Sequence, residues 1–421
     1  MLGMKGLRKP LRMIAAVALL VIGSLTPSRA ADPIKVGFSM ALTGAVAQNG
    51  KQLLIALEIW RDDVNAKGGL LGRPVELVYY DDQSNPSNVP GIYTKLMTVD
   101  KVDLLVGPYA TNMVAPAMPV IMQANKTTIS LLAIGVNSHF NYSRYFSMVP
   151  VGPEGVKAFS RGYFELAAAQ KPKPKTVAMI AADAEFAKTA ADGAKANAKA
   201  LGFDIIYDKT YPPSTTDFSP VVRAVQAANA DIVFVASYPP DTVGIIRAAN
   251  EIGYQPKMFG GTMIGLLVTP LKVQLGPLMN GMTIMESFVP APSFNFPGLQ
   301  VVLDQYRKRA TDQRIDPFGY GFVPFGYAAG QILAQAVTAT KSLDHDKIAK
   351  YIHANAFKTV AGDIAYNANG DWTEARTVFT QFQNVAPNNI EQFRTVDHQV
   401  IVWPDKYKTG KMVYPYADAK K

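Results

Sequence analysis

From Ile34 onward, short apolar runs alternate with longer segments in which apolar side chains recur every three or four residues. Ile34–Met40 reads as a strand. Leu53, Leu57, Trp60 and Val64 then mark one face of a helix that begins near Gly50 and stops at Gly68-Gly69, where glycine takes the conformations that end helices. Val75–Tyr80 reads as the next strand, closed by the polar stretch 81–86. A helix through Ile92–Val99 leads to an apolar run, Leu104–Val106, that is expected to end at Gly107-Pro108; a further helix leads to a strand at Thr127–Leu131. After Pro150 the rhythm restarts. A helix over 153–169 precedes Thr176–Ala181, helix 185–201 precedes Phe203–Tyr207, helix 218–229 precedes Asp231–Ala236, and helix 241–252 precedes Lys257–Gly260. Strands that alternate with helices imply βαβ units and parallel sheets covered on both faces. Two such sets, broken near residue 150, predict an α/β protein of two similar Rossmann-like lobes.

Ligands of open α/β sheets sit beyond the carboxyl ends of the strands. Two loops rich in small polar groups stand at such ends, Thr43-Gly44-Ala45 and Ala110-Thr111-Asn112. The helix that follows each loop presents free amides and partial positive charge, which suits an anion. Neither loop is a glycine-rich phosphate cradle, so a carboxylate is the better candidate. Ordinary capping by Thr43 and Thr111 is an equally open reading.

The chain has 421 residues, more than one compact core usually serves. Hydrophobic residues at 48% and charged residues at 18% fit a folded protein with a large core. The first thirty residues differ. Lys5, Arg8, Lys9 and Arg12 precede the apolar stretch Met13–Leu25, and Ser28-Arg29-Ala30 offers a small-residue cleavage site. That layout predicts a cleaved signal peptide over residues 1–30 and an exported, periplasmic mature protein. The segment carries five basic and no acidic residues, so its removal lowers the net charge from +9 to +4. No nucleic-acid partner is expected from so modest a charge. Lys171–Lys175, interleaved with two prolines, reads as a solvated connector.

Candidate catalytic chemistry is sparse. The absence of cysteine excludes disulfides, zinc–thiolate sites and thiol nucleophiles. No phosphate-binding G-x-x-x-x-G-K-[ST] loop and no G-x-S-x-G elbow occurs. His139, His345, His353 and His398 lie far apart, without metal-ligand spacing. Neither an enzyme nor a metal or other cofactor is therefore expected. Asp81-Asp82 points to opposite sides of a strand end, which suits turns and caps better than acid–base work. Asp62-Asp63 reads as a solvated helix face. The aromatic cluster Phe318–Tyr327 is expected to pack a helix start against the core, with cavity lining as the alternative.

Several longer segments resemble one family. They are IKVGFSMALTGAVAQNG (34–50), VNAKGGLLGRPVELVYYDD (64–82), VGPYAT (106–111), DFSPVVRAV (217–225) and GYAAGQILAQAV (326–337). Together they are similar to the type I periplasmic solute-binding proteins of ABC importers, in particular the branched-chain amino-acid binders, over nearly all of residues 34–385. The resemblance implies a three-strand hinge and closure of two lobes on a ligand. It places one lobe at 32–150 plus 281–356 and the other at 151–280 plus 357–421. It also implies a small-molecule ligand, an ABC permease in the inner membrane as partner, and a monomer.

The family's ligand positions correspond here to Thr43 and Asn49 in the first loop and to Ala110 and Thr111 after the third strand, with Thr111 as the carboxylate-binding hydroxyl. Leu132, Ala133 and Ile134 follow the fourth strand, and Phe186 and Tyr238 are the aromatics of the second lobe. Amino-acid binders place an acid at the position of Thr262, to meet the ligand ammonium. A buried ammonium without such a partner is costly, and Ile134 lacks the usual hydroxyl too. Together with Met263, these residues point to a carboxylate with an apolar or aromatic body. Two alternatives stay open: an amino-acid ligand, with Asp241 or Asp183 supplying the charge, and a sensing subunit for a membrane receptor.

Overall fold

The structure is a computed structural model that describes residues 32–313 and 315–421. The expected signal peptide lies outside the described residues. Among the described residues, no helix is long and apolar enough to cross a membrane.

The first sheet is wholly parallel, in the order β2-β1-β3-β4-β5. Its strands are β1 (Ile34–Met40), β2 (Val75–Asp81), β3 (Leu104–Tyr109), β4 (Thr128–Leu131) and β5 (Tyr145–Ser147). Helices α1 (Ala47–Ala66), α2 (Val89–Thr98), α3 (Thr111–Gln123) and the short α4 (Val136–Phe140) connect them. Strand β3 runs past the expected stop at Gly107-Pro108. The ladder shifts register between Val106 and Tyr109, and Tyr109 pairs with Leu131. An irregular ladder accommodates a proline that cannot donate.

The second sheet has the order β14-β13-β10-β9-β8-β6-β7. Strands β6 (Thr176–Ala182), β7 (Asp204–Tyr211), β8 (Ile232–Ser237), β9 (Met258–Met263) and β10 (Thr283–Glu286) are parallel. Helices α5 (Arg161–Ala168), α6 (Glu185–Ala200), α7 (Ser219–Ala227), α8 (Pro239–Glu251) and α9 (Thr269–Leu275) belong to this half of the chain. The expected helix over 153–169 is instead a kinked 3-10 segment, Gly152–Phe159, followed by α5.

The chain then returns to the first half as α10 (Leu299–Gln313), α11 (Val323–Thr340) and α12 (His345–Ala354). A small hairpin follows, β11 (Phe357–Thr359) with β12 (Gly362–Ile364). Two antiparallel strands, β13 (Val378–Phe382) and β14 (Gln399–Trp403), close the second sheet.

These pairings move two expected divisions of the chain. Residues 283–286, expected in the first lobe, are hydrogen-bonded between β9 and β13 of the second sheet. The stretch 357–377, expected in the second lobe, has bonds to the first sheet instead. Ser147 N donates to Gly370 O at 2.8 Å, and Trp372 Nε1 donates to Ser147 O at 2.9 Å. Asp62 and Asp63 are not a merely solvated face either. Asp62 pairs with Arg309 of α10 at 2.8 Å, and Asp63 accepts the Tyr327 hydroxyl of α11 at 2.7 Å.

Candidate functional site

A narrow cavity lies between the carboxyl ends of the two sheets. Tyr109, Ala110, Leu132 and Phe322 line it from the first half, and Phe159, Phe186, Tyr238 and Ile264 from the second. Met285 and Ser287, where the chain leaves β10, form its base together with Val149, which follows β5. No charged side chain is among its lining residues. Glu286 lies between Met285 and Ser287 but faces away, as strand alternation requires. It is buried near Lys272 (3.7 Å) and accepts from Gln399 at 2.5 Å. Burial pushes the Glu286 carboxyl up and the Lys272 ammonium down.

The aromatic walls are braced by edge-on contacts. Phe186 packs on Tyr238 with ring centroids 5.8 Å apart, and on Phe159 at 6.3 Å. Tyr109 packs on Phe322 at 5.7 Å. Burial pushes the Tyr109 and Tyr238 phenols above their ordinary range, so both remain neutral donors.

Three helix N-termini converge on the cavity. Ala110 is the N-cap residue of α3 and supplies no side-chain cap. Phe186 lies in the first turn of α6, and Tyr238 is the N-cap residue of α8. The α3 end carries no cap of its own and favours an anion, whereas α8 is capped by Asp241 and α6 by Asn112. Two lining residues also hold the left-handed side of backbone space, Ala110 at φ +73° and Leu132 at φ +55°. Such conformations are costly for non-glycine residues and cluster at ligand sites.

Of the ten residues singled out in the sequence, Ala110, Leu132, Phe186 and Tyr238 line the cavity. Asn49 stands one layer behind, donating to the Tyr109 hydroxyl at 2.7 Å, while its own Oδ1 is buried without a partner. Thr111 is buried, and its hydroxyl accepts the Ile134 amide at 3.0 Å. That bond uses the Ile134 N–H and leaves the Thr111 proton to donate. Ala133 and Ile134 are buried in the loop after β4. Thr262 is buried and donates to Phe159 O at 3.2 Å. Thr43 is exposed and turned away, its hydroxyl donating to Asp81 at 2.7 Å. Met263 does not line the cavity; its neighbour Ile264 does.

Neither alternative acid reaches the cavity. Asp241 accepts the Tyr238 amide at 3.3 Å and the Tyr211 hydroxyl at 3.1 Å. Asp183 is exposed and paired with Lys188 at 3.0 Å. Asp81 and Asp82 serve turns, accepting from Leu42, Thr43 and Gln83, and from Ser39 and Ser84 respectively. Among the described residues, no group of three or more His, Cys, Asp or Glu could hold a metal ion.

Sequence reasoning passed over Tyr109, Phe159, Met285 and Ser287. Tyr109 carried a signal, as it directly precedes the polar loop. Met285 and Ser287 carried none, because β10 is four residues long and its apolar pattern is too short to read.

Residues 33–385 match the family described as periplasmic binding protein. The chain belongs to this family. A Leu/Ile/Val-binding protein of Citrobacter freundii is 26% identical over 355 residues, which cover 83% of this chain and 90% of that one. An R. palustris solute-binding protein of an ABC transporter, solved in complex with 4-hydroxybenzoate, superposes with a TM-score of 0.73 at 18% identity, covering 93% of this chain and 100% of the other. The branched-chain amino acid substrate-binding protein LivJ of Streptococcus pneumoniae, solved with isoleucine, gives 0.70 at 19% identity, covering 89% and 100%. This periplasmic binding protein is thus a solute-binding protein of the ABC-transporter type, with the two-lobed α/β fold of its relatives.

Proposed function

We propose that this binding protein captures a small carboxylate with an apolar or aromatic body, between its two lobes, for an ABC permease of the inner membrane. The observation that carries this reading is the cavity itself. Aromatic and aliphatic side chains wall it, three helix N-termini face it, and no carboxylate lines it. An amino-acid ammonium placed there would lose its hydration without gaining a counter-ion, at a cost of several kcal/mol. The N-terminus of α3 suits a carboxylate, and Phe186, Tyr238 and Tyr109 offer apolar faces to the body of the ligand. The R. palustris neighbour, solved with 4-hydroxybenzoate, supports this class.

The lobes are drawn as 32–150 with 287–377, and 151–286 with 378–421, and they close by a hinge at the three crossings. Export through a cleaved signal peptide at 1–30 and a monomeric working form complete the reading. The thermal stability of the purified protein, measured with benzoate, 4-hydroxybenzoate, leucine and valine, tests it. A ligand at a hundred times its Kd stabilises by about 2.7 kcal/mol. Stabilisation by the aromatic acids alone is the expected result. Stabilisation by leucine or valine alone would keep the binding role and overturn the ligand class.

A further inference from the structure

We infer that Asn112 is the latch of lobe closure: its side-chain oxygen caps a helix of the opposite lobe and holds the cavity-lining Tyr238 across the cleft. This rests on the reading of the protein as a two-lobed binder, and adds to it the residue through which closure assembles the aromatic wall.

Asn112 is the second residue of α3, in the first lobe. Its Oδ1 accepts the backbone amide of Phe186 at 2.9 Å and the hydroxyl of Tyr238 at 3.0 Å. Both donors belong to the second lobe, and both residues line the cavity. The amide orientation follows from chemistry, since a backbone N–H can only be met by the oxygen of the carboxamide.

Helix α6 has no cap of its own. Its N-cap residue is Ala184, which offers no acceptor, and Asp183 just before it is turned to Lys188. The first amides of a helix lack intrahelical partners, and an asparagine oxygen is among the best groups to satisfy them. Here that group arrives from the other lobe. Helix α8, by contrast, is capped locally by Asp241. The lobes meet elsewhere in this region too. A Cβ on Gly135 of the first lobe would stand 3.0 Å from Val156 and 3.1 Å from Thr189 of the second. When the lobes part, the α6 amide and the Tyr238 hydroxyl return to water together. One oxygen therefore couples lobe separation to the placement of both aromatic rings.

The test uses Asn112→Ala and Asn112→Asp in purified protein, with a dye pair reporting the distance between the lobes. Asn112→Asp keeps the acceptor at a helix N-terminus and is expected to behave as the parent. Asn112→Ala is expected to widen the distance distribution without added ligand. With 4-hydroxybenzoate it is expected to raise the dissociation rate about tenfold, which is about 1.4 kcal/mol, with little change in the association rate. Tyr238→Phe removes one of the two bonds, and its effect on the distance should shrink in the Asn112→Ala background. An unchanged distance distribution in Asn112→Ala would overturn the latch, even if affinity fell. So would loss of closure in Asn112→Asp when circular dichroism shows that variant folded. The distance readout needs no ligand, so the latch is decided even if no tested acid binds and the ligand class fails.

Discussion

Asp82 is fully buried, yet it keeps two hydrogen bonds, from the Ser39 hydroxyl at 2.9 Å and the Ser84 amide at 3.0 Å. Burial pushes its carboxyl up to about 6, with the charge of Asp81 adding to the rise. A raised folded-state pKa means that the folded protein binds the extra proton between about pH 4 and 6. Its stabilising contribution is present below pH 4 and lost as the pH rises through 6. Asp82→Asn removes that loss. The stability difference between variant and parent, from urea unfolding, should move in the variant's favour by about 1–3 kcal/mol between pH 4 and 7.5. A difference that stays constant with pH would show that Asp82 is not the titrating group. Asp81, one residue away, is held below the usual carboxylate range by the bonds from Thr43, Gln83 and Leu42, which outweigh its modest burial penalty. Adjacent acids thus titrate in opposite directions because only one is buried.

At the scale of elements, the contact between α1 and α11 is set by small residues. A Cβ on Gly330 would come within 2.3 Å of the Trp60 ring, and Trp60 is buried. In an exposed helix, glycine to alanine gains up to about 1 kcal/mol of propensity. Here, overpacking against an immobile indole costs about 1–3 kcal/mol, so Gly330→Ala should be net destabilising. Gly91 in α2 is the control, since it is exposed and a Cβ there meets nothing within 4 Å. Gly91→Ala should leave stability unchanged or raise it slightly. Chemical denaturation of both variants checks the opposite signs; the same sign in both would remove the packing argument.

Across the whole molecule, the C-terminal tail is part of the second lobe. Tyr416 is buried, its ring lies 5.8 Å from that of Phe259, and its amide donates to Lys257 O at 2.9 Å. Val413 N donates to Gln381 Oε1 at 2.8 Å. Lys420 donates to Leu278 O at 2.5 Å, and burial lowers its ammonium to about 8. Removal of residues 412–421 should therefore cost about 2–4 kcal/mol, from the lost tyrosine burial and hydrogen bonds. Guanidinium unfolding measures this, and a cost below about 0.5 kcal/mol would mark the tail as dispensable. The cavity belongs to the same scale, because its walls come from both halves of the chain.

The pattern of apolar residues by itself determined the α/β class and the order of most strands and helices up to residue 263. Buried parallel strands are near-continuous apolar runs, and their helices carry a regular apolar face. The strand-end argument also marked the loop at Ala110, whereas Leu132, Phe186 and Tyr238 came from the family resemblance. Only tertiary structure decided the rest. Thr43 and Asp81 are far apart in sequence, and their hydrogen bond turns the threonine from the cavity. Strand β10 is too short to show a period, so its partners in the second sheet assign it there. Asn112 reads as one more polar residue at a helix start. Its hydrogen bonds reach donors 74 and 126 residues away, and no local pattern encodes a contact between segments so distant in sequence.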